Sequence, residues 1–314
     1  MQKNDISKAV KILQAGGLVA IPTETVYGLG ADAQNPAAIR KIFLVKQRPI
    51  DHPLIVHLTE TAQLTEWAID VSPAALCLAR AFWPGPLTLI LKKASHVSDW
   101  VTGGQDTIGL RVPNHPVALA ILKEYGSGIA APSANRFGRI SPTTAQAVRE
   151  ELGDAVDLIL EGGQCAVGVE STIVDVSGEH PVILRPGMIT AQQIESVLQQ
   201  QVATQKKNAP RVSGSLESHY APVTRTRLMP TPELKLFLRE VGQQNTFAFI
   251  VWSEVGEGRN VIQMSSDSRQ YAHDLYHVMR ELDKKGLQEI IIEAVPEMIE
   301  WDAIRDRLQR AAHG

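Results

Sequence analysis

Cysteine is scarce in this chain. Only Cys77 and Cys165 occur in 314 residues, in no C-x-x-C pair and no Cys/His cluster. That excludes a disulfide framework and argues against a structural zinc site. No apolar run approaches the ~18 residues that a membrane span needs. Charge of one sign is also lacking: 31 Lys+Arg face 34 Asp+Glu, a formal net charge of -3. This balance weighs against a broad electrostatic face for nucleic acid, while leaving a local basic pocket open. A Walker-type G-x-x-x-x-G-K loop, an H-E-x-x-H pair and a G-x-S-x-G elbow are all absent. The polar start, residues 1–5, runs into an amphipathic helix and does not read as a signal peptide, so the expected address is a reducing cytoplasm with no membrane contact.

What is present is an ordinary globular composition, 44% hydrophobic and 21% charged, and a length that suits two domains. Ile6, Ala9, Val10 and Leu13 share one helical face, ended by Gly16 and Gly17. Asn35 followed by Pro36, and Ser72 followed by Pro73, each read as a cap and a first-turn proline. Thr190 with Gln193 reads as a capping box. Strands are expected at 18–21, 53–58, 87–91, 108–112, 128–131, 158–160, 172–176 and 182–184. The expected class is α/β: a mixed twisted sheet with helices over residues 1–200, a linker over 201–232, and a small Rossmann-like three-layer α/β domain over 233–314.

Chemistry-bearing residues gather in the loops of the first domain. Pro22-Thr23-Glu24-Thr25-Val26-Tyr27-Gly28-Leu29-Gly30 carries hydroxyls, a carboxylate, a phenol and glycines. Its Gly28-x-Gly30-x-x-Ala33 spacing imitates a dinucleotide fingerprint. The expected strand ends too early, and the next helix has its own cap, so the glycines cannot form the strand-to-helix turn which that fingerprint requires. Lys46 and Arg48, before Pro49, suit a polyphosphate, or else compensate a helix C-terminus as ordinary solvated cations. Arg111 alternates with Thr107 and Gly109 on one strand face and needs an anionic partner, either a protein carboxylate or a substrate one. Ala130-Ala131-Pro132-Ser133-Ala134-Asn135, with Ser141 beyond, reads as plain turn chemistry or as donors to a ligand. The set suggests positioning and charge stabilisation, with no covalent nucleophile.

In combination, the Pro22–Leu29 motif, Lys46-x-Arg48-Pro49, Pro132-Ser133-x-Asn135, Glu170-Ser171-Thr172 and His219-Tyr220-Ala221-Pro222 closely resemble the YrdC-like L-threonylcarbamoyladenylate synthases, in their long two-domain form. The resemblance implies that L-threonine, bicarbonate and ATP, with Mg2+, give threonylcarbamoyl-AMP and diphosphate for the threonylcarbamoyladenosine modification of tRNA. It implies Thr25, His57, Arg111, Ala131 and Ser171 for threonine, and Arg48, His52, Thr107, Ser133, Ser141, Arg185 and Tyr220 for ATP. Lys46, Arg48, Ser133 and Asn135 become the catalytic cluster, with no metal ligand assigned to the protein. Two residues depart from the family pattern: His52 stands where Asn is common, and Phe137 where a small polar residue is usual. Tyr220 and its neighbours are expected to fold over the site as a solvent-excluding lid. A non-catalytic RNA-binding module and a carbamoyl-phosphate-dependent transferase are the competing readings; direct tRNA binding and docking of downstream modification enzymes stay open.

Overall fold

The computed structural model describes residues 3–204, 209–214 and 219–313; the polar stretch 205–208 and Ser218, both read as part of the linker, lie outside the described residues. The chain divides into two units, Met1–Phe137 with Pro142–Ser215, and Gly138–Ser141 with Leu216–Gly314.

The first unit is built on a mixed sheet. Its strands are β1 (Val19–Ile21), β2 (Gly28–Asp32), β3 (Ile55–His57), β4 (Ala68–Ile69), β5 (Leu87–Lys93), β6 (Thr107–Arg111), β7 (Ile129–Ala130), β8 (Leu158–Ile159), β9 (Thr172–Asp175) and β10 (Val182–Arg185). Their order is β10-β9-β5-β6-β3-β7-β2-β1-β8, with β4 paired to β5. The pairs β3–β6, β5–β9 and β1–β8 are parallel, and the other pairs are antiparallel.

Helices cover both faces of this sheet. On one side Ile6, Ala9, Val10 and Leu13 of the helix Lys3–Gln14 pack with Ala118, Ile121 and Leu122 of the helix Pro116–Tyr125. On the other, the helix Pro36–Lys46 buries Ile39, Ile42 and Phe43, and Pro73–Phe82 buries Leu78. The caps form as expected: the Asn35 side chain accepts from the Ala37 and Ala38 N–H groups, Ser72 accepts from Ala75, and Thr190 and Gln193 close a capping box.

The glycine-rich segment forms β2, which the sequence reading did not assign as a strand. Gly28 and Gly30 lie in an antiparallel ladder with β1, away from any strand-to-helix turn. A Cβ added at Gly30 would meet Ile21 Cδ1 at 2.6 Å and the Val19 carbonyl oxygen at 3.1 Å, so a larger residue there would have to push its neighbours aside.

The second unit has four parallel strands, β11 (Arg225–Met229), β12 (Phe247–Val251), β13 (Val261–Gln263) and β14 (Glu289–Glu293), in the order β11-β14-β12-β13. The helices Thr231–Val241, Ser268–Asp283 and Asp302–Ala312 flank them. The parallel α/β expectation is met, but β11 and the first residues of the helix after it lie inside the stretch read as a linker to residue 232. Arginines at 225 and 227 disguise the strand; they are paired at its surface with Glu289 at 3.4 and 3.1 Å. Within this unit Tyr220 has a left-handed backbone (φ 60°). Its ring lies 5.9 Å from that of Tyr276 and 5.1 Å from the Arg307 guanidinium. The Ala221 N–H donates to the Gly138 carbonyl at 2.9 Å, which ties Gly138–Ser141 into the same unit.

Candidate active site

Two neighbouring strand ends carry the first cluster. His57 closes β3 and Arg111 closes β6, and parallel register makes them Cα partners. The loop after β1 comes to meet them. It is folded on itself by Thr23, whose Oγ1 donates to the Val26 carbonyl at 2.6 Å and accepts from the Val26 N–H at 3.2 Å. The Val167 N–H holds the loop from outside by donating to the Glu24 carbonyl at 2.7 Å.

Arg111 then donates from Nη1 to Thr25 Oγ1 at 3.0 Å and from Nε to the Gly85 carbonyl at 3.3 Å. Its Nη2 lies 2.7 Å from Glu24 Oε1. Of the two partners that the sequence allowed Arg111, the structure supplies the protein carboxylate. Arg111, Glu24 and His57 are all more than nine-tenths buried. Burial, and then the Arg111 charge, push the His57 imidazolium down to about 3, so the ring is neutral at any physiological pH.

A second loop is zipped to the first. Leu29 N–H donates to the Pro132 carbonyl at 2.7 Å and Ala134 N–H to the Tyr27 carbonyl at 2.8 Å. Ser133 bridges to Gly28, where a Cβ would meet Ala131 Cβ at 3.1 Å. Lys46, the last residue of its helix, reaches this loop from behind. Its Nζ donates to the carbonyls of Ser133, at 2.6 Å, and of Asn135. Burial first, and Arg48 second, hold its ammonium well below the ordinary lysine value. Lys46 is thus no solvated helix-end cation: only 1% of it is exposed.

Two further arginines, Arg48 and Arg185, meet at Ser213, 165 and 28 residues away from them. Arg185, at the end of β10, donates from Nε and Nη2 to the Ser171 carbonyl at 3.1 and 2.9 Å, and from Nη1 to the Ser213 carbonyl at 2.8 Å. Ser171 Oγ lies 2.8 Å from Thr88 Oγ1. Arg48 donates to the Pro53 carbonyl at 2.8 Å and to Ser213 Oγ at 3.1 Å. Thr107, at the start of β6, lines a cavity with Pro53, Gly109, Arg211 and Ser213. His52 sits edge-on to Phe137, ring centroids 5.1 Å apart, so the two departures from the family pattern touch. Burial, then Arg48, lowers the His52 pKa.

Of the residues expected from the sequence, Thr25, His57 and Arg111 come together. Lys46 joins Ser133 and Asn135, and Ser171 joins Arg185. Ser141 and Tyr220 fall in the second unit. The sequence reading missed Glu24 as the partner of Arg111, although it is the carboxylate of the first motif and Arg111 was known to need one. It also missed Ser213 and Thr88; isolated hydroxyls carry no local signal. Among the described residues no three His, Cys, Asp or Glu side chains gather as a metal cage, and no helix is long and apolar enough to cross a membrane.

Comparison with known proteins identifies the family. The Sua5/YciO/YrdC profile, described as telomere recombination, covers residues 11–187, and a profile described as the threonylcarbamoyl-AMP synthase C-terminal domain covers 189–313. The chain is 35% identical to the threonylcarbamoyl-AMP synthase of Pyrococcus abyssi, across 97% of this chain and 93% of that one. It is 38% identical to the Bacillus subtilis protein of the same name, across 98% and 93%. A crystal structure of P. abyssi Sua5 complexed with L-threonine superposes with a TM-score of 0.92 at 33% identity, covering 100% of this chain and 95% of that one. Profiles spanning both units and relatives alike over nearly their whole length leave one conclusion: the chain belongs to the threonylcarbamoyl-AMP synthase family.

Proposed function

We propose that this protein joins L-threonine, bicarbonate and ATP into threonylcarbamoyl-AMP and diphosphate, as a nucleotidyltransferase serving the threonylcarbamoyladenosine modification of tRNA. The observation that carries the reading is the pairing of two desolvated cationic centres in one unit. Arg111 is flanked by Thr25 and His57, while Lys46, Arg48 and Arg185 are buried around Ser133, Ser171 and Ser213.

An amino acid and a triphosphate each need such a centre. Arg111 offers a planar fork for the threonine carboxylate, with Ser171 and Ala131 completing the site in this reading. The amine then takes up the carboxyl unit, and the resulting carbamate oxygen attacks the α-phosphorus of ATP. The bond to the bridging oxygen breaks and diphosphate departs. Arg48 and Arg185 meet charge on the phosphates, and Lys46 fixes the loop bearing Ser133 and Asn135. His52 and Thr107 belong to the nucleotide's surroundings. For Ser141 and Tyr220 the support is the motif alone. Magnesium brought in with the nucleotide would neutralise phosphate charge; no residue of the chain is assigned to hold it.

A carbamate decomposes in water, so the segment 211–213 has a task as a solvent barrier. Ser213 holds both Arg48 and Arg185, and Val212 packs with Ile90 and Ile173. The cytoplasm, where tRNA and ATP coexist, is the fitting compartment. Hand-over to downstream modification enzymes is part of the same proposal. The test is mass spectrometry of the product formed from threonine, 13C-bicarbonate and ATP. A labelled threonylcarbamoyl-AMP peak is expected; its absence, with tRNA binding that weakens steeply with salt, would favour the RNA-binding module.

A further inference from the structure

Among the described residues, four buried polar atoms of the Arg111 cluster have no hydrogen-bond partner: both carboxylate oxygens of Glu24, the Nδ1 of His57 and the Nη2 of Arg111 itself. Glu24 Oε1 has the charge of Arg111 Nη2 beside it at 2.7 Å; among the described residues Oε2 has no such partner. Glu24 is only 7% exposed. A buried carboxylate oxygen left unpaired is costly, and native structures keep few of them. Such an atom beside a buried arginine is matched by a ligand that brings both an anion and a cation: an amino-acid zwitterion. Its carboxylate meets Arg111 and its ammonium meets Glu24.

We propose that Glu24 is a catalytic residue, the proton acceptor for the α-ammonium of the bound amino acid. The proposal rests on the synthase reading and adds a step to it. An ammonium has no lone pair and cannot attack carbon. Transfer of one proton from nitrogen to Glu24 Oε2 breaks an N–H bond, leaves its electron pair on nitrogen and converts the carboxylate to the acid. The lone pair then forms the N–C bond to bicarbonate; the C–OH bond breaks, and the departing hydroxide leaves as water with the second nitrogen proton. Glu24 returns to the carboxylate by releasing its proton to solvent. In sum, zwitterion and bicarbonate give carbamate, water and one proton.

Geometry favours Glu24 for this step over its neighbours. Among the described residues, the charged or titratable groups near it include Arg111, His115 and Cys165, with His57 behind Arg111. Arg111 accepts no proton. Of the other three, none forms an ion pair with Arg111 among the described residues, whereas Glu24 lies against its guanidinium at 2.7 Å, where the substrate's carboxylate and ammonium would arrive together. The substrate carboxylate, arriving at the same guanidinium, adds a second negative charge beside Glu24 and draws the ammonium proton toward it.

The test is the Glu24→Gln enzyme, whose amide keeps shape and cannot take the proton, assayed as labelled threonylcarbamoyl-AMP formed between pH 7 and 10, with threonine affinity measured separately by calorimetry. The expected result is a kcat about 100-fold or more below wild type at pH 7. That deficit should shrink about tenfold per pH unit as free amine replaces ammonium in solution, the titration law of a single proton. Glu24→Asp, which keeps a carboxylate, should be slower than wild type but follow its pH profile. A folded Glu24→Gln enzyme with wild-type kcat, or with a loss that is the same at every pH, overturns the proposal. Should Glu24→Gln fail to fold, a Glu24→Asp rate that climbs tenfold per pH unit while wild type does not overturns it equally. A wild type that forms no labelled product removes the synthase reading itself, and the proposal with it.

Discussion

Lys46 Nζ donates to the Ser133 carbonyl at 2.6 Å, and a second proton goes to Asn135, so one side chain from the end of a helix clamps the loop that carries both residues. The link gives the buried Lys46 amine hydrogen-bond partners, which offset the cost of taking it out of water.

Replacing Lys46 with Met keeps the stem and removes the donors. Two buried carbonyls then lose their partner, and the fold should be destabilised by about 1–3 kcal/mol, read from urea denaturation. Product formation should fall more than tenfold, as losing one preorganised charge contact does. A variant with unchanged stability would mean that the loop holds itself without the clamp.

The Glu24–Arg111 pair makes a second prediction, about folding alone. Arg111→Met strands a buried carboxylate and should cost about 3–5 kcal/mol. Glu24→Gln should cost less, because Thr25 and the Gly85 carbonyl still hold the arginine. The double variant should be more stable than the sum of the singles by about 0.5–3 kcal/mol, since no charge is then left alone. Denaturation of all four proteins checks this; simple additivity would show that the pair is not coupled.

Much of this was legible in the sequence where local chemistry decides the outcome. Asn35, Ser72 and Thr190 cap helices because a side-chain oxygen next to unsatisfied N–H groups is a local arrangement. The period-two alternation put Thr107, Gly109 and Arg111 on one face, and Thr107 and Gly109 line one cavity. What escaped depends on distant partners. Gly28–Asp32 has no β-branched residue, and it is a strand because β1 and β7 flank it. Arg225–Met229 looked like linker because the glutamate that pairs with its arginines is 62 residues or more downstream, at Glu289. Ser213 joins Arg48 across a separation of 165 residues, which no pattern announces.

The contact of His52 with Phe137 leads to a third prediction. Burial is the largest cause of the lowered His52 pKa, and the Phe137 ring is part of what buries it. Phe137→Ala should readmit water and move the titration midpoint up toward that of an ordinary histidine, with Arg48 still holding it somewhat below. Histidine-ring NMR across pH 4–8 reads this directly. An unmoved midpoint would assign the shift to Arg48 and Arg211 instead.

His57 makes the pH dependence of folding specific. Its pKa is about 3 in the fold and near the ordinary histidine value of 6.5 in the unfolded chain. Between those limits the unfolded state binds more protons than the folded one. Stability therefore rises with pH through this window, is complete above about 6.5 and is lost as the pH falls toward 3. The slope from one such group is about 1.4 kcal/mol per pH unit. In His57→Gln, which cannot be protonated, the acid limb of the stability curve should be shallower by up to that amount between pH 4 and 6. At pH 8 the two curves should differ only by a constant packing cost. Urea midpoints collected at half-unit intervals test it. Parallel curves from pH 4 to 8 would mean that His57 takes up no proton differentially on unfolding.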